Sequence, residues 1–156
     1  MFGHCVWYTI SRNHRLSILI RELSNKLNTD FYAGHITLHS RCAERAANHY
    51  YTIQCSMTKP WFQIDGRVYQ TKMLDKNNQW FYAIQQDYNM YNEPRLGKYH
   101  VSLAYRLNRP FTKEEVAYVN SLIPTDTIRS CVIYVSLNDC RTVLPRHWKQ
   151  MKCKII

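Results

Sequence analysis

Acidic residues are scarce in this chain: eleven Asp and Glu stand against twenty-one Lys and Arg, a net charge of +10 over 156 residues. A surplus of that size draws in polyanions and raises their encounter rate, so nucleic acids, nucleotides and anionic membranes are all partners by charge alone. No apolar run approaches the ~20 residues that span a bilayer. There is also no basic amphipathic helix to lay on a membrane surface, so no membrane partner is expected. The opening "MFGHCVWYTISRNH" has neither a basic leader nor a long apolar core. A secretory signal is therefore not expected, and cytoplasmic residence follows by default. None of the six cysteines forms a C-x-x-C pair, and their scattered spacing fits neither a zinc site nor a disulfide framework. They read as small core residues in a reducing compartment. Linkers, low-complexity runs and charge blocks are missing too, so a single α+β domain over residues 1–156 is expected.

What is present begins with aromatic side chains, 13% of the chain with twelve Tyr and four Trp. Such rings fill cores, and they also stack on bases, which tilts the charge reading toward nucleotides. "CVWYTI" (5–10) reads as a strand. Leu16, Leu19, Ile20, Leu23 and Leu27 recur at helical spacing and predict a helix over about 14–27. A strand in "HITLH" follows, then a short helix in "RCAERAANH" and a strand in "YYTIQCS". Asp65-Gly66 is the dipeptide favoured in type I′ turns and predicts a hairpin inside "WFQIDGRVYQTKML". "QWFYAIQQ" is a strand or the start of a helix, and "KYHVSLAYRL" is a strand. Thr112 and Glu115 form a capping box for a helix over 113–122. "IRSCVIYVSLND" is the last strong strand, and "CRTVLPRHWKQMK" reads as a basic, irregular tail.

Within this order one pattern occurs twice. His35-Ile36-Thr37-Leu38 and His100-Val101-Ser102-Leu103 both read H-φ-[ST]-φ, φ being aliphatic, and both lie on strand-like segments. Strand alternation sends residues two apart to one face, so His35 and Thr37, with His39 beyond them, would point the same way. Cleaving a phosphodiester in line needs a base on the attacking oxygen and an acid on the leaving oxygen. Histidine can fill either role near neutrality. A hydroxyl two positions on can donate to a non-bridging phosphate oxygen. Two such strands facing each other would supply the base, the acid and two oxygen clamps without a metal or other cofactor.

The paired motifs, their separation and the duplicated α+β order resemble the 2H phosphoesterase superfamily (LigT-like), over nearly the whole chain. The flanking "FYAGHITLHSR" and "VWYTISR" look most like its viral, anti-CBASS-type branch, whose members cleave cyclic-nucleotide immune signals. The resemblance implies a bilobal fold in which two pseudo-symmetric antiparallel sheets flank a central cleft, with helices outside. It implies metal-independent catalysis by His35 and His100, with Thr37 and Ser102 binding phosphate. The implied substrate is a cyclic di- or trinucleotide such as cyclic GMP-AMP, and the implied role is immune evasion in the host cytoplasm.

Outside these four residues, Tyr8 and Trp61 are the candidates for stacking on a base, with Arg12 near Tyr8 and Trp148 in the basic tail as further substrate contacts. Arg41 and Lys98, adjoining the motifs, are candidate phosphate contacts. His39 extends the first motif to H-x-T-x-H, but no third ligand is in view, and it reads as a cleft-edge or surface residue rather than a metal ligand. His4, His14, His49 and His147 read as exposed. Two other functions share the same residues: cleavage of 2′-5′ oligoadenylate or of short RNA ending in a 2′,3′-cyclic phosphate, and a nucleotide-binding sponge without catalysis.

Overall fold

The computed structural model describes residues 2–57, 61–75, 77–91, 98–123, 132–142 and 144–155. Along the chain these form β1 (His4–Ile10), α1 (Arg15–Lys26), β2 (His35–Cys42), α2 (Glu44–Gln54), β3 (Trp61–Leu74) and β4 (Trp80–Tyr91). There follow β5 (Lys98–Leu107), α3 (Lys113–Leu122), β6 (Val132–Asp139), a 3-10 turn (Pro145–His147) and β7 (Lys149–Ile155). It is an α+β domain. All seven strands join one antiparallel order, β3-β4-β5-β2-β1-β6-β7, rather than the two separate sheets expected. The seam at the centre is thin: β2 and β5 share one registered pair, Ile36 with Val101. Every other pairing runs over five or more residue pairs. No helix among the described residues is long and apolar enough to cross a membrane.

Strand parity divides β1 between two environments. Val6, Tyr8 and Ile10 share one buried cluster with Leu16, Leu19, Ile20 and Leu23 of α1, Ala47 of α2 and Val119 of α3. Cys5 and Trp7, on the alternate parity, join a smaller cluster with Cys140. The α1 helix forms where the leucine spacing predicts it. His14 caps it, Nδ1 accepting from the Leu16 amide at 3.2 Å. Asn28, at φ 54°, lets the chain turn away afterwards. The α3 box forms as read, Thr112 Oγ1 accepting from the Glu115 amide and Glu115 from the Thr112 amide.

Three local readings are corrected. The "YYTIQ" segment continues α2 instead of starting a strand, because Ala47, Tyr51 and Gln54 fall on one helical face and pack inward. Asp65-Gly66 lies inside β3, beside a register shift between Asp65 and Tyr69 that marks a bulge. The β3–β4 turn is instead built by Asp75, whose carboxylate accepts from the Asn77 and Gln79 amides at 2.8 Å each. The basic tail is not irregular: it ends in edge strand β7, paired along β6.

Arg106 of β5 ties the helix ends together. Its guanidinium donates to both carboxylate oxygens of Glu115 at 2.9 Å and to the Leu27 carbonyl at 2.9 Å, and lies 4.3 Å over the Phe111 ring. The contact holds the Glu115 carboxyl down to about 2. Replacing Arg106 by Met should strand that carboxylate and the Leu27 carbonyl, costing about 2–3 kcal/mol in urea unfolding.

Candidate active site

The one pair that joins the two halves of the sheet also brings the repeated motifs together. Ile36 and Val101 point to the buried side, both almost fully excluded from solvent. In an antiparallel pair, the neighbours of such a couple turn to the opposite face and meet crosswise. His35 is thereby set toward Ser102, and Thr37 toward His100. His35, Thr37 and His100 line one cavity of about 390 Å³. Ser102 is buried beside it, and the cavity-lining Gln85 holds its hydroxyl, Nε2 to Oγ 3.4 Å.

Both motifs are followed by the same irregularity. The β1–β2 register shifts between Trp7–Thr37 and Val6–His39, leaving Leu38 as the extra residue. The β4–β5 register shifts between Ile84–Ala104 and Gln85–Ser102, leaving Leu103 extra. Each bulge reverses parity, so Ser40 and Tyr105, each five positions after its histidine, join the cavity wall. It also turns His39 off that face. His39 stacks on Tyr50 of α2 at 4.0 Å, which corrects the expectation of three aligned polar groups and of a cleft-edge histidine. Arg41 lies next to a further shift, at φ 58°, and is the single Arg or Lys among the described lining residues. Left-handed backbone in a non-glycine residue at a cavity wall is the kind of local strain found at binding sites.

His35 is fixed on two sides. Its ring lies 3.5 Å from that of Trp7, nearly parallel at 9°. Its Nδ1 stands 2.7 Å from the Ala33 carbonyl. A carbonyl only accepts, so Nδ1 carries the proton and Nε2 keeps its lone pair. Burial lowers the pKa of His35 to about 4; the Ala33 hydrogen bond opposes the shift and the charge of His100 adds to it. His100 is lowered too, by burial, but the Asp87 carboxylate across the β4–β5 ladder pulls it back up. Asp87 is itself oriented by the Tyr69 hydroxyl, which donates to Oδ1 at 2.5 Å. One imidazole is thus held neutral with a free acceptor, and the other stands beside an acid that favours its proton.

The remaining candidates divide. Trp148 lines the cavity, its ring 6.1 Å from that of His35 and 5.8 Å from that of Trp7. Tyr8 does not: it is buried on the helix side, where its hydroxyl accepts from the Gln54 amide. Its neighbour Trp7 is the aromatic residue of β1 that faces the cavity, since consecutive strand residues face opposite ways. Arg12 stands beyond the end of β1 and lines a different cavity. The side chains of Trp61 and Lys98 lie outside the described residues. His4 is buried and His14 is half-buried as a helix cap, against the expectation that both are exposed. Among the described cysteines none is in a disulfide; Cys5 and Cys140 are buried and Cys153 is exposed, while Cys131 lies outside the described residues.

Among the described residues no three His, Cys, Asp or Glu side chains gather as they would to hold a metal ion. Compared with known proteins, the chain matches no protein-family model and no curated protein sequence.

Proposed function

We propose that this chain is a metal-independent phosphodiesterase of the 2H (LigT-like) kind, opening cyclic di- or trinucleotide immune signals on behalf of a virus. The observation that carries the reading is the Ile36–Val101 pair, which gathers His35 and Thr37 with His100 around one cavity and sets Ser102 against it. On this reading the two lobes would be β3-β4-β5 and β2-β1-β6-β7, which in the single sheet meet at the thin β2–β5 seam. A nucleotide suits a cavity of about 390 Å³ with Trp7, Tyr105 and Trp148 in its wall and Arg41 at hand for phosphate charge.

The burial of His35 and the carboxylate beside His100 support the following division of roles. His35 Nε2 takes the proton of a ribose 2′-hydroxyl as its oxygen bonds to phosphorus. His100 gives a proton to the departing 5′-oxygen as that bond breaks. Thr37 donates to a non-bridging oxygen. The Ser102 hydroxyl, which accepts from the Gln85 amide and also hydrogen-bonds the Tyr105 side chain, would turn its proton from Tyr105 to a second non-bridging oxygen. The products are a 2′,3′-cyclic phosphate and a 5′-hydroxyl, and water can then open the cyclic phosphate.

The test is product analysis in EDTA on a panel of cyclic dinucleotides, 2′-5′ oligoadenylate and RNA ending in a 2′,3′-cyclic phosphate. Cyclic GMP-AMP should be cut, and its 2′-deoxy analogue at the attacked ribose should resist. Preferential cutting of the 2′-5′ oligomer or the RNA end would move the substrate assignment. Ligand recovered intact across the panel would make the chain a sponge, and cleavage of the deoxy analogue at an equal rate would exclude 2′-hydroxyl attack.

A further inference from the structure

A second cavity, of about 430 Å³, is lined by the segment 31–34, which leads directly into His35. Its floor is the end of β1, where the Ile10 amide donates to the Gly34 carbonyl at 2.9 Å. Arg12 and Arg21 stand at its rim, and no Asp or Glu is among the described residues that line it. Among the described residues neither guanidinium makes an ion pair; that of Arg21 lies 5.0 Å over the ring of Phe31, which is half exposed. Inside, the Ser17 hydroxyl oxygen is buried and has no hydrogen-bond partner among the described residues. Buried polar atoms are normally satisfied, so an orphan in a cavity wall marks where a ligand atom or water belongs. Asn13 and Tyr134 complete the wall around these groups.

Two guanidiniums without an ion pair among the described residues, an orphan hydroxyl and a half-exposed aromatic ring form a donor set for a phosphate ester carried on a flat ring system. We propose that this cavity is a second binding site, separate from the histidine pair, that takes a nucleoside monophosphate: phosphate on Arg12, Arg21 and Ser17, base against Phe31 and Tyr134. Tyr32 forms part of its wall and also packs 6.0 Å from the ring of His35, which lines the first cavity. The nucleotide is either a free mononucleotide or the phosphate-bearing end of a cleaved product. The site itself does not depend on what the histidines do.

Titration of the isotope-labelled protein with adenosine 5′-monophosphate, followed by amide NMR, tests it. Saturable shifts are expected at residues 11–17 and 31–34, and they should persist in a His35→Ala/His100→Ala variant. An Arg12→Ala/Arg21→Ala variant, altered only at exposed side chains, should bind at least ten-fold more weakly while keeping its spectrum elsewhere. A titration with a linear dinucleotide bearing a terminal phosphate separates the sources: tighter binding than the mononucleotide identifies a product end, equal or weaker binding a free nucleotide. Shifts confined to the histidine cavity, or an affinity unchanged by the double arginine substitution, would overturn the proposal.

Discussion

Replacing either His35 or His100 by alanine is expected to slow cleavage of a cyclic dinucleotide by about 10⁴-fold, and replacing both to slow it no further. A base and an acid acting on opposite sides of one phosphorus atom work in a single transition state, so losing one leaves little for the other to do. The same pairing prescribes the pH profile. His35 must be neutral to accept a proton, which holds above about pH 4. His100 must be protonated to donate, and its pKa lies below the ordinary 6.5. kcat/KM should therefore rise through about pH 4 and fall again below pH 6.5. Single-turnover rates of the three variants, beside circular dichroism to show that each is folded, measure the first expectation. A double variant slower than either single one by the product of their effects would mean that the two imidazoles act in separate steps. A kcat/KM optimum above pH 7 would reverse the reading of the proton inventory.

Acid should also destabilise the fold through His35, by an amount on the order of 3 kcal/mol. The ring is 5% exposed, stacked on Trp7, and titrates at about 4, whereas the unfolded chain's histidine titrates near 6.5. Above 6.5 neither state binds the proton. Between 6.5 and 4 the unfolded state binds it and the native state does not, so stability falls as the pH drops through this window. Below 4 both states are protonated and the loss levels off. His14 and His100, also lowered, steepen the same window. The lowered carboxyls of Glu115 and Asp139 act at lower pH, as each approaches about 2. Urea midpoints from pH 7 to pH 4 read the slope. In His35→Asn, whose amide can still donate to the Ala33 carbonyl but does not titrate, the slope should flatten by about one proton. An unchanged slope would show that His35 does not titrate as a buried neutral ring.

Much of the fold was legible because its signals are local. The leucine spacing of α1, the Thr112–Glu115 box of α3 and the two H-φ-[ST]-φ strands each rest on residues a few positions apart, where periodicity and capping act. The failures occurred where a distant partner decides. Nothing within "ITLHS" announces that Leu38 will be left over against Trp7 and Val6, yet that bulge turns His39 away and brings Ser40 in. Tyr8 and Trp7 have equal claims as stacking residues until the sheet assigns its faces. Asp65-Gly66 outranks Asp75 as a turn signal by dipeptide preference alone. The pairing of β3 with β4 makes it a bulge.

By itself, then, the sequence determined which side chains the two repeated motifs carry, and that both motifs follow one pattern, because side-chain chemistry and strand periodicity are properties of a few neighbouring residues. Tertiary structure alone decided that His35 is the neutral acceptor and His100 the group held near an acid, that Trp7 rather than Tyr8 faces the cavity, and that Arg12 belongs to a second one. Burial, strand register and the placement of Ala33 and Asp87 set those properties, and each depends on segments the chain brings together from far apart.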